Sequence, residues 1–146
     1  MARIVVLYSS QSGNTREAAA HVAAGVQLVP GAEATLVDAA KMEIDLLEDA
    51  DGVAIGAPNY FTYPSGLIKH FFDLAFTRKG FKGKPYVAFS THGGGGGVSK
   101  TIDALAQAVG MKQAAESLDF LNKPQGDQVK ECRRLGQALA AKATAK

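Results

Sequence analysis

One cysteine and no tryptophan occur in the 146 residues of this chain. A lone Cys132 closes no internal disulfide and builds no cysteine-based zinc site. The fold must therefore rest on its core, and a reducing, cytoplasmic location is expected. Excess charge of either sign is also missing: 16 Lys and Arg stand against 14 Asp and Glu, a formal net charge of +2. No basic face of the kind that nucleic acid requires is implied. Long apolar runs are absent too. Met1-Ala2-Arg3 leads straight into a strand of about six residues, too short for a signal peptide's apolar segment or a membrane span. Neither Gly-x-Gly-x-x-Gly after the first strand nor Gly-x-x-x-x-Gly-Lys-[Ser/Thr] is present, which excludes a dinucleotide fingerprint and a nucleoside triphosphatase. There is no Gly-x-Ser-x-Gly elbow for a hydrolase. His21 and His70 fall on different predicted helices, so no metal site is expected.

What is present is 47% hydrophobic residues, enough for one domain over residues 1–146 that buries roughly two-thirds of its unfolded surface. The apolar run Ile4-Val5-Val6-Leu7 reads as a first strand and Arg16 to Val26 as a helix. Glu33 to Asp38 is a second strand, followed by a short helix bearing Met42, Ile44 and Leu47. Asp51 to Gly56 reads as a third strand, apolar after its first residue, as buried parallel strands are. A long loop, Ala57 to Pro64, carries exposed aromatics, and Leu67, Ile68, Phe71, Phe72 and Ala75 then form a helical stripe. Thr77 to Pro85 is a solvated basic connection, Tyr86 to Phe89 a fourth strand, and Ser99 to Val109 a helix. Ala114 to Leu121 is a weaker fifth strand, and Cys132, Leu135, Gly136 and Leu139 mark the last helix. Strands alternating with helices imply an α/β sandwich of three layers: a five-stranded parallel sheet with helices on both faces.

Ligands of such sheets sit beyond the carboxyl ends of the strands. The exits of strands one, three and four are the three unusual stretches of this sequence. Ser9-Ser10-Gln11-Ser12-Gly13-Asn14-Thr15 delivers hydroxyls and a glycine to a helix start, where unpaired N–H groups and the helix dipole favour an anion. No lysine or arginine lies inside the loop, so dipoles and hydrogen bonds are expected to carry that anion. The same residue types also serve as ordinary N-caps, and the loop alone does not decide. The second exit offers Pro58, Asn59, Tyr60, Phe61 and Thr62. The third offers Thr91 and His92 and then five glycines, Gly93 to Gly97.

Ser10-Gln11-Ser12-Gly13-Asn14-Thr15 resembles the [Thr/Ser]-x-[Thr/Ser]-Gly-x-Thr phosphate loop of flavodoxins, and the other two exits fall where that family grips the FMN ring. The resemblance covers essentially the whole chain and implies strand order 2-1-3-4-5, noncovalent FMN and electron transfer through it. It places Ser9 to Thr15 at the phosphate. Pro58, Asn59, Tyr60, Phe61 and Thr62 then flank one side of the flavin, with either Tyr60 or Phe61 stacked on it, and Thr91, His92, Gly93, Gly94 and Gly97 lie on the other. The flavin supplies the chemistry, so no catalytic side chain is expected, His92 being the one candidate near it.

Three departures from ordinary flavodoxins stand out: no tryptophan, no aromatic in the strand-four loop, and a slightly basic rather than acidic chain. The first two leave one flavin face open, which resembles flavodoxin-like NAD(P)H:quinone reductases. The expected partners are accordingly a redox protein or NAD(P)H and a quinone, met by a monomer or small homo-oligomer, without nucleic acid or membrane insertion. Sparse acidic residues in the ring loops imply a flavin potential less negative than in an acidic flavodoxin. The alternative of another class is a cofactor-free interaction or receiver-like module. Lys123-Pro124 suits a receiver, but Ser9, Ser10, Gly56 and Ala57 stand where a receiver needs acidic residues.

Overall fold

In a computed structural model of the chain, which describes residues 1–145, the first strand β1 (Ala2–Tyr8) leads into α1 (Asn14–Gln27) and returns as β2 (Ala32–Asp38). A 3-10 turn (Ala39–Lys41) and α2 (Ile44–Asp49) precede β3 (Gly52–Tyr60), the two-residue β4 (Tyr63–Pro64) and α3 (Gly66–Ala75). A second 3-10 turn (Lys79–Phe81) leads to β5 (Pro85–His92), α4 (Val98–Val109), β6 (Lys112–Gln113), β7 (Leu118–Leu121) and α5 (Asp127–Thr144). The sheet runs β2-β1-β3-β5, with β6 and β7 both pairing in parallel on the outer edge of β5. This is the expected order 2-1-3-4-5, with two differences. The fifth strand is broken, because Ala114-Ala115-Glu116-Ser117 lacks the β-branched and aromatic residues that favour a continuous strand. The aromatic loop after strand three is largely strand: β3 continues to Tyr60 and turns back antiparallel as β4.

Alternation along the strands divides the core in two. Val5, Leu7, Val53, Ile55 and Ala88 meet Leu47 of α2, Ile68, Phe71 and Phe72 of α3, and Ile102 of α4. Ile4, Val6, Ala54, Val87 and Phe89 face the other way, onto Ala18, Val22 and Val26 of α1 and Leu135 and Leu139 of α5. The single thiol, Cys132, lies in this second layer with no exposed surface. Burial, with a smaller contribution from Glu131, pushes it up to about 12.

The basic connection is more than a solvated loop. Lys84 is 7% exposed, and its ammonium donates to the carbonyls of Glu48 and Ala50 at the end of α2, where a cation complements the helix dipole. Arg78 pairs with Asp45 and Glu48. A hydrogen bond from the Gly80 amide and another from Arg78 hold the Glu48 carboxyl below its usual range.

Helices α1 and α5 approach through two glycines. A Cβ on Gly25 would strike the Arg133 carbonyl, and one on Gly136 would strike the Val22 carbonyl. Both obstacles are backbone, so neither can swing aside. Replacing Gly136 by Ala is therefore expected to destabilise the fold by about 1–3 kcal/mol, the scale of an overpacked core. Gly66, with nothing within 4 Å of its would-be Cβ, is the control: Gly66→Ala should be neutral or slightly stabilising. Urea unfolding of the two variants measures both; equal midpoints would show that the helices yield.

Candidate functional site

The three unusual exits meet at the carboxyl edge of the sheet. The Ser9 amide still donates to the Gly56 carbonyl at 3.1 Å, so the first loop leaves the sheet at Ser10. Gly13 sits at φ 95°, ψ −9° as the cap of α1, a left-handed conformation that suits glycine and turns the chain into the helix. Its amide donates to Ser10 Oγ at 3.0 Å, and the Asn14 amide to Ser12 Oγ at 3.4 Å. The serine hydroxyls thus already sit against the amides of the helix start. Thr15 is buried, and its Oγ1 lies 2.7 Å from Thr91 Oγ1, joining the first exit to the third.

The second exit is a tight hairpin with Asn59 opposite Pro64 and Tyr60 opposite Tyr63. Its two turn residues, Phe61 and Thr62, have φ of 57° and 65°. Of the two-residue turns that match the twist of the strands, this is the one with positive φ at both positions. Phenylalanine and threonine adopt that region at a cost of order 1–3 kcal/mol each. Asn59 supports the strained turn, its Oδ1 accepting from the Thr62 amide at 2.8 Å. The other end of the same amide, Nδ2, donates to the Gly95 carbonyl and ties the hairpin to the glycine loop. Phe61 is 99% exposed at the tip, whereas Tyr60 is half-buried and its hydroxyl is raised by burial.

The third exit is anchored from β7. Asp119 accepts from Ser90 Oγ, from the Ser99 amide at 3.1 Å and from Ser99 Oγ at 2.6 Å. Burial alone would raise its carboxyl, but these bonds and one from the Gly97 amide outweigh that and hold it below its usual range. The five-glycine run is thereby fixed at its α4 end, where Gly97 caps the helix at φ 102°.

Two clefts open on either side of Tyr60. One of about 230 Å³ is lined by Ser12, Asn14, Pro58, Asn59, Tyr60, Thr91, His92, Gly93 and Asn122. It brings together the three exits and contains no carboxylate. The other, about 490 Å³, joins Ser9, Ser10, Gln11 and Tyr60 to Asp38 and Leu67. Of the expected site residues, Gly13, Thr15, Gly94 and Gly97 line neither cleft, and Phe61 and Thr62 form the exposed turn. Asn122 and Asp119 were not foreseen. Asn122, at φ 58° with its amide on the His92 carbonyl at 2.7 Å, carries the usual signal of an asparagine at a strand exit. Asp119 has no sequence signal beyond its place in the weak fifth strand.

Two observations favour a flat heterocycle with a phosphate tail in the smaller cleft. The donors at the α1 start are hydroxyls and amides, and the first-turn carboxylate, Glu17, faces Lys123 instead, which suits a phosphate. His92 lines the same cleft, and its Nδ1 is buried with no hydrogen-bond partner, an unsatisfied polar atom behind that wall.

Comparison with known proteins gives the same direction. Residues 38–126 match the family described as NADPH-dependent FMN reductase. A flavodoxin of Aquifex aeolicus is 33% identical, over 96% of this chain and 86% of its own length. A coenzyme F420H(2) oxidase of Methanothermobacter marburgensis is 29% identical over 95% of this chain, which spans only 35% of that larger protein. Among solved structures, a flavodoxin from the domain Archaea superposes with a TM-score of 0.89 at 26% identity, covering 97% of this chain and 99% of that one.

The Asp119 anchor is open to test. An amide in its place would turn a donor toward donors, so Asp119→Asn should lose about 1–3 kcal/mol of stability at neutral pH. Because the carboxyl is lowered on folding, its contribution is full above its unfolded value of about 3.9 and is lost as pH falls through the folded value. The wild type should shed this increment below about pH 4, while the variant's stability should be flatter there. Denaturant midpoints between pH 2.5 and 7 measure the difference, and parallel profiles would remove Asp119 from this role.

Proposed function

We propose that this chain, which belongs to the flavodoxin-like FMN-binding flavoproteins, passes electrons between redox partners through FMN held in the cleft between the three strand exits. The observation that carries the placement is the convergence in one carboxylate-free cleft of a hydroxyl-lined helix start, the Tyr60 wall and His92. FMN is held noncovalently and supplies the electron-transfer chemistry; the chain's residues bind it, orient it and set its surroundings.

In this reading the Ser10 and Ser12 hydroxyls turn from the Gly13 and Asn14 amides toward the phosphate, the Asn14 side chain joins them, and the amides so released point at it as well. The Thr15 and Thr91 hydroxyls hold each other with one proton. The second proton of the pair remains free to donate. Tyr60, rather than the exposed Phe61, is the side chain that flanks the flavin. His92 and the backbone of Gly93 lie on the opposite wall, and Asn59 keeps the two ring loops at a fixed separation. Ser9, Ser10 and Gln11 line the larger cleft beside Asp38 while Ser12 and Asn14 line the smaller one, so the phosphate loop borders both.

A second reading rests on the family match over residues 38–126, which adds direct reduction by NAD(P)H. The glycine loop carries no bulky side chain, so a nicotinamide has access to the flavin face on that side.

Titration of flavin-stripped protein tests the placement. FMN should bind more tightly than riboflavin by several kcal/mol, each charge-assisted hydrogen bond contributing about 1.5–3 kcal/mol; equal affinities would sink the assignment of the loop. Tyr60→Ala should weaken FMN by about 1–3 kcal/mol, the scale for losing a stacked aromatic, while Phe61→Ala leaves it unchanged. Anaerobic mixing of the FMN-loaded protein with NADH and NADPH separates the two readings: bleaching of the flavin spectrum supports the reductase, and no change leaves the carrier.

A further inference from the structure

The phosphate loop contains no cation in sequence, yet Arg16 supplies one in space. Arg16 is the third residue of α1, and the Cα–Cβ bond of a helical residue leans toward the helix N-terminus, so a long side chain there lies over the preceding turn. The structure shows this: Arg16 Nη2 lies 3.9 Å from where a Cβ on Gly13 would stand. The guanidinium therefore reaches back to the tightest point of the loop. A cation in the first turn of a helix is opposed by the dipole of that helix. That placement makes physical sense when an anion sits between the two. The neighbouring acid does not compete for it: Glu17 faces Lys123, at 3.9 Å. The one carboxylate near the start of the loop, Asp38, lines the other cleft.

We propose that Arg16 is the counter-ion of the bound phosphate monoester and a determinant of selectivity for phosphorylated over unphosphorylated flavin. This rests on the phosphate reading of the loop and adds to it a charge. Arg16 is exposed, so its contribution is screened by salt, which separates it from the contribution of the buried Thr15.

The test is fluorescence titration of flavin-stripped wild type, Arg16→Gln and Arg16→Lys with FMN and with riboflavin, at low and high salt. Arg16→Gln should weaken FMN about tenfold at low salt, between the effect of an exposed ion pair and that of a charge-assisted hydrogen bond. Riboflavin affinity should stay unchanged, the FMN loss should shrink at high salt, and Arg16→Lys should recover most of it. An FMN affinity within twofold of wild type in Arg16→Gln would overturn the inference while leaving the loop assignment intact. So would an equal loss for both flavins, which would mark Arg16 as a residue of the fold. A wild type that binds the two flavins alike would overturn the loop assignment and the inference together.

Discussion

A parallel sheet covered on both faces has no face left for chemistry, and that constraint organises this protein. With Ile4 to Leu7 of β1, Gly52 to Ala57 of β3 and Pro85 to Ser90 of β5 buried, the inner stretches of these strands are committed to packing. Only where the chain leaves the sheet can polar side chains and unpaired amides accumulate. All helices that follow a strand present their positive ends at the same edge. The site is therefore where the sheet stops, and its character is anion-accepting before any side chain is considered.

Holding three independent exits in register needs ties between them, and each tie is polar. Thr15 with Thr91 links the first exit to the third, Asn59 links the second to the third through Gly95, and Asp119 anchors the third to the sheet edge. Five consecutive glycines would be costly to order alone. The ties at Gly95 and Gly97 divide that cost, leaving Gly93 and Gly94 as the short span between His92 and the first tie. The strained Phe61-Thr62 turn is stabilised by the same Asn59 that spans the cleft, so the geometry of the hairpin and the width of the cleft depend on one side chain.

The layer order, the first loop and the position of the cleft were legible from apolar runs and from glycine and hydroxyl placement, because these are local patterns with a local cause. The hairpin after β3 was not, since Phe61-Thr62 is the opposite of the Asn-Gly pair that announces such a turn; the fold imposes it through Asn59 and the Tyr60–Tyr63 pairing. Lys84 and Arg78 read as solvent-facing because nothing in a run of lysines tells which one turns inward; only the folded chain brings the end of α2 beside them. Arg16 was overlooked as a loop cation for a related reason: its backbone lies outside the loop, and only the backward lean of a helical side chain returns its charge to Gly13. Asn122 signals a strand exit and nothing more, and Asp119, far from the motif in a weak strand, leaves no pattern at all.

The sealed thiol has a consequence for a protein that handles electrons. Cys132 is fully buried against the sheet with its ionisation pushed up to about 12, so practically none of it exists as the nucleophilic thiolate at neutral pH. Oxidants that draw on the flavin therefore meet no reactive thiol in the same molecule, and sulfenic acid formation, mixed disulfides and crosslinking through Cys132 are closed off. An oxidising episode around the flavin therefore leaves no disulfide behind in this chain.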